Sequence, residues 1–127
     1  MSGMPVIWTV GLECRPEDDE KFNRWYDEVH VPMLLEGGHV ARVTRYRLSS
    51  ETHDVAPGAM QCPTYQTIYE FEDEDAFSSW MREDRAAAAR DKAATWGDRG
   101  YDVIWAARYD AMSTGNADTS HGIKRQA

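Results

Sequence analysis

No apolar run in this chain of 127 residues approaches the length of a membrane span, and no basic start leads into an apolar core at its N-terminus. A transmembrane helix and an export signal are therefore not expected. Cysteine is scarce: Cys14 and Cys62 stand alone in unlike contexts, which points to a reducing, cytoplasmic setting and leaves a thiol nucleophile without a neighbouring base. Positive charge is short as well. With 14 Lys and Arg against 22 Asp and Glu the net charge is -8, and neutralising nucleic-acid phosphates takes clustered cations. His30, His39, His53 and His121 show no paired ligand spacing, so no metal centre is expected. Gly37 and Gly38 lack the lysine or the strand-to-helix glycine pattern of a nucleotide loop.

What is present is a globular composition, 42% hydrophobic and 28% charged, in a length that suits one domain able to bury about two-thirds of its unfolded surface. Residues 6–13 carry Val6, Ile7, Trp8 and Val10 and read as a strand. Pro16 and a run of acids then open a helix in which Phe22, Trp25, Tyr26 and Val29 recur at spacings of three and four. Pro32 disfavours helical geometry at Val31, which predicts a break or kink just after His30, and a short further turn ends at Gly37 and Gly38. Residues 39–48 and 64–72 read as strands of one hairpin, with Tyr65, Thr67, Tyr69 and Phe71 sharing a face. The connection over 49–63 has no period and is long enough to be functional or mobile. Residues 72–97, acidic at their start and dense in alanine, read as one helix ended by Gly97 or Gly100. A last strand spans 101–110, and residues 113–127 read as a mobile tail beyond a domain of 1–112.

The order strand, helix, strand, strand, helix, strand is the ferredoxin-like βαββαβ arrangement: a four-stranded antiparallel sheet with two helices on one face. Its second face must carry part of a load of five Trp and six Tyr, which predicts that a second copy covers it. Two sheets face to face would make a homodimeric barrel with an enclosed space.

On "FNRWYDEVHVP" (22–32), "GGHVARVTRYR" (37–47) and "WGDRGYDV" (96–103), the chain resembles the dimeric α+β barrel superfamily, and within it the EthD-like proteins. In that family the first helix ends in a His-x-Pro element, and the next strand carries an aromatic flanked by arginines. The superfamily holds cofactor-free polyketide cyclases, decarboxylases, dehydratases, lactone isomerases and monooxygenases, with haem enzymes in distant branches, and the fold does not select among them. His39 is an added polar group to which the resemblance assigns no role.

The residues narrow the chemistry. His30, carried on the inward side of the helix, suits proton transfer near neutrality, and Asp27 three residues earlier is placed to orient it. Arg45 and Arg47 share one strand face and Tyr46 takes the other; Arg47 or Tyr46 would steady an enolate. Trp8, Trp25, Tyr26, His39, Tyr65, Trp80 and Trp105 are the expected substrate-binding set, suited to a flat aromatic or polyketide-like compound. The plainer alternative makes His30 a helix cap, Asp27 a surface acid and most of the aromatics, Tyr69 and Tyr101 included, core. The leading reading is a cofactor-independent lyase, cyclase or dehydratase working next to a carbonyl. A cofactor-free monooxygenase using Asn23, Trp25 and Trp80, and a non-catalytic carrier of apolar ligands, stand as alternatives.

Overall fold

The computed structural model describes residues 4–49, 62–96, 100–115 and 124–125. Four strands, β1 (Val6–Cys14), β2 (Arg42–Arg47), β3 (Tyr65–Phe71) and β4 (Tyr101–Asp110), form one sheet in the order β2-β3-β1-β4. Every neighbouring pair is antiparallel, as the βαββαβ reading expects. In β3, Tyr65, Thr67, Tyr69 and Phe71 are buried and the residues between them only partly so, the period of two that marks a sheet with helices on one side. No described helix is long and apolar enough to cross a membrane.

Pro32 does not end the first helix. Instead α1 (Asp19–Trp25) runs through a π-helical turn (Tyr26–His30) into α2 (Val31–Leu35) with helical backbone throughout. Proline has no N–H and its ring crowds the carbonyl four residues back. One extra residue in the turn, marked by the bond from the Val31 N–H to the Tyr26 carbonyl, carries the helix past it.

The alanine-rich stretch shows the opposite departure, two helices where one was expected. α3 (Glu74–Arg82) is capped by Asp73, whose carboxylate accepts from the Ala76 N–H at 2.9 Å; α4 (Asp84–Trp96) follows a corner at Glu83 with φ -108° and ψ -76°. The corner is tied down by buried Asp84, which accepts from the Gly37 N–H at 3.2 Å. Gly97 lies outside the described residues. Gly100, at φ +132°, approaches the Trp96 ring so closely that a Cβ would lie 2.2 Å from it, so only glycine fits there. Residues 50–61 of the long connection also lie outside the described set, as does most of the expected tail; within the tail, β5 (Ser113–Thr114) pairs with β6 (Lys124–Arg125).

The register between β1 and β4 slips once. Trp105 stands opposite Gly11 and Val103 opposite Leu12, so Ile104 is an extra residue. That bulge turns Tyr101 and Val103 toward the helices and leaves Trp105 on the other face, over Gly11.

Between helices and sheet the core is largely aromatic. Trp80, 1% exposed, packs on Tyr69 and Phe71 with ring centroids 5.3 and 5.0 Å away and donates its indole N–H to the Leu34 carbonyl at 3.0 Å. It thereby ties α3 to both β3 and α2. Trp80→Ala is expected to lower unfolding free energy by about 3–5 kcal/mol, and Trp80→Phe by less, as read from urea unfolding curves.

Candidate active site

A cleft of about 350 Å³ opens between the sheet and the helices of the same chain. It lies on the helix-covered face of the sheet, within one chain. Its floor comes from Trp8 on β1, Tyr69 on β3 and Tyr101 on β4, and its far walls from Tyr26, His30 and Trp80. The gap exists because α4 presents alanines there: Arg85, Ala88, Ala89 and Lys92, spaced at three and four, all line it. A larger side chain at Ala88 or Ala89 would fill the volume.

His30 is wedged among rings. It stacks on Trp25 at 4.7 Å and meets the edge of Tyr26 at 4.9 Å, and its Nδ1 is buried with no hydrogen-bond partner. Burial, helped by the positive charges of Lys92 and Arg45 and opposed by Asp91, brings its pKa from 6.5 down to about 4. The imidazole is therefore neutral at pH 7. Across the cleft the Tyr26 and Tyr69 hydroxyls share a hydrogen bond of 2.9 Å. Burial raises both phenols, and Tyr101 with them, above their ordinary value, so all three stay protonated and able to donate.

Of the residues picked out in the sequence, Trp8, Tyr26, His30 and Trp80 meet in this cleft, while Trp25 stands behind His30 as a stacking support. The others are placed elsewhere. Asp27 does not orient His30: its exposed carboxylate accepts from Arg45 at 3.0 Å, because that guanidinium lies over the neighbouring Tyr26 ring. The carboxylate whose charge acts on His30 is Asp91 of α4, and its Oδ2 is buried without a hydrogen-bond partner.

Tyr46, 51% exposed, pairs with Gln66 on the face away from the helices, where it cannot reach an enolate held near His30. Arg47 is on the helix side but at the sheet edge, with Nη2 3.4 Å from the Tyr65 hydroxyl. Tyr65 is held there by donating to Asp19 and accepting from Asn23, in a separate recess shared with Arg45. His39 sits at the α3–α4 corner, 3.5 Å from Glu83, and Trp105 is on the opposite face of the sheet. Reasoning from sequence missed Arg85 and Lys92 as cleft groups and Asp91 as the acid that acts on His30, and it named Tyr69 and Tyr101 only among the aromatics. The available signal was the arginine and lysine seven residues apart around paired alanines on one helix face. Among the described residues no three His, Cys, Asp or Glu side chains gather as a metal site would require.

A family model described as "Domain of unknown function (DUF4286)" matches residues 5–103. No curated protein matches the chain. Among solved structures, an ethyl tert-butyl ether D (EthD) family protein from Bacillus halodurans C-125 aligns with a TM-score of 0.59 at 15% identity, over 86% of this chain and 99% of that one. HapK from Hahella chejuensis aligns with a TM-score of 0.60 at 17% identity, over 90% and 98%. A dimeric ferredoxin-like protein of unknown function from Thermobifida fusca YX aligns with a TM-score of 0.50 at 14% identity, over 86% and 92%. At these identities the likeness is one of fold.

His30 also makes stability depend on pH. With a folded pKa of about 4 and an unfolded one near 6.5, the unfolded chain binds more protons between those values. The contribution is complete above pH 6.5 and is lost as pH falls toward 4, by roughly 3 kcal/mol. Urea unfolding across this window should show wild type losing more stability than His30→Gln, by up to that amount.

Proposed function

The chain belongs to the family described as a domain of unknown function, DUF4286, and on its EthD-like fold we propose that it is a cofactor-independent lyase, cyclase or dehydratase for a small aromatic or polyketide-like compound. The observation that carries this reading is a neutral, unpartnered His30 on a mostly apolar cleft that also holds protonated phenols.

In the proposed step, His30 takes a proton from carbon beside a carbonyl. The C–H bond breaks, an N–H bond forms, and the electron pair moves onto the carbonyl oxygen as an enolate. A phenol of the Tyr26–Tyr69 pair or of Tyr101 donates a hydrogen bond to that oxygen. The enolate carbon then attacks a second carbonyl of the same substrate, whose electron pair moves onto its oxygen and takes the proton back from His30, or the enolate expels a β-hydroxyl that leaves as water with that proton. An imidazole of such low basicity suits only an acidic C–H, such as the carbon between two carbonyls. Asp91 replaces Asp27 as the acid that acts on His30, its charge favouring the ring as it takes up the proton.

The test is product formation from a panel of aromatic β-keto acids and β-diketones, with and without oxygen. Turnover is expected without oxygen, with kcat/KM level above pH 5 and falling below about pH 4. His30→Gln should lower kcat by roughly 100-fold or more. Asp91→Asn should lower kcat by about tenfold with little change in KM, and Asp27→Asn should leave both near wild type. Oxygen-dependent conversion, or full activity in His30→Gln, would count against the proposal.

The same reading includes a homodimer. The uncovered face of the sheet exposes Tyr46 and Tyr109, the latter 60% exposed, and the similar Thermobifida protein is described as dimeric. Sedimentation should give a dimer for wild type and a monomer for Tyr109→Glu, since a charge at the centre of an apolar contact is costly to bury.

A further inference from the structure

The charge of the cleft is the reverse of the charge of the chain. Among the described residues no Asp or Glu lines the cleft of this acidic chain, whereas Arg85 and Lys92 both do. Neither cation makes an ion pair or a hydrogen bond with another described residue. Arg85 lies over the Trp8 ring with its guanidinium carbon 5.1 Å from the centroid, and Lys92 over the Tyr101 ring at 4.4 Å. Cation–π contact with those rings accounts for where the two side chains lie. It does not account for the lack of any ion pair between either cation and an acid among the described residues of so acidic a chain.

We propose that the cleft takes a ring compound bearing a carboxylate, with the ring on Trp8 and Tyr101 and the acid group between Arg85 and Lys92. This rests on the reading of the cleft as a substrate site and names the substrate class for it. The two cations are two turns apart on α4, about 10 Å along its axis, and both border the one cleft. Aromatic walls lower the local dielectric and strengthen the pull of both cations on a carboxylate. They also give the uncharged part of the ligand a flat apolar seat. The arrangement bears on the chemistry as well: a carboxylate beside Lys92 cancels the positive charge that now disfavours a protonated His30. The bound substrate therefore makes its own base more basic.

The experiment is isothermal titration calorimetry of the full chain with naphthoate and with naphthamide, an uncharged probe of nearly the same shape. Naphthoate is expected to bind about tenfold more tightly than naphthamide, with the gap narrowing as salt is raised. Arg85→Gln and Lys92→Gln should each weaken naphthoate roughly three- to tenfold and leave naphthamide unchanged. Arg42→Gln, on the opposite face of the sheet, should alter neither. His30→Gln should bind naphthoate at least as well as wild type while failing in turnover, which separates this inference from the role of His30. Equal binding of the two probes, or indifference to both cation substitutions, overturns the preference for an anion but leaves the cleft as a ring-binding site. Binding of neither probe by folded protein overturns both.

Discussion

Pro32 controls the first helix, and through it the site. A proline inside a helix forfeits one hydrogen bond and pushes against the preceding turn. This chain meets that constraint with a wide turn over Tyr26–His30 instead of ending the helix. The wide turn sets the direction of the two side chains that matter most in the cleft: Tyr26, bonded across to Tyr69, and His30, stacked on Trp25. Beyond it, Leu34 still lies in the core and its carbonyl accepts from Trp80. A true break at Pro32 would have uncoupled those contacts from α1.

The second organising effect is desolvation. An imidazole among rings, with one nitrogen buried and unpartnered, stays neutral because charging it would take a cation out of water without a paired anion. The phenols that face it stay protonated for the same reason. The ring cluster is thus both the hydrophobic core and the device that sets the protonation states of the site. Lys92 and Arg85 add a positive field at the cleft of an otherwise acidic protein.

Sheet geometry decides which aromatics share the cleft. Along β3 the alternation is regular, and the buried set Tyr65, Thr67, Tyr69 and Phe71 follows directly from it. Along β4 a single bulge at Ile104 exchanges the faces, so Tyr101 turns to the helices while Trp105, four residues on, lies on the far side. In a flawless strand those two residues would share a face. The bulge therefore makes the difference between a cleft residue and a residue of the open sheet surface.

Element order, the buried face of β3, the inward Phe22, Trp25 and Tyr26 of the first helix and the presence of His30 at its inner side were legible in the sequence, because each is a local matter of period and spacing; Val29, expected on the same stripe, is 37% exposed because the wide turn shifts the helical phase there. The partners of His30 were not. Asp27 is near in sequence but is drawn to Arg45, whereas Asp91 and Lys92 act on His30 from a helix more than sixty positions later. Chain proximity carries no information about such pairs. Nor could the sequence locate the cleft, which depends on which face the helices cover and on small alanines of α4 failing to fill it. Local chemistry determined the fold and the inward placing of His30; only tertiary packing, through burial, register and the gap left by alanines, decided what surrounds that group and what charge it bears.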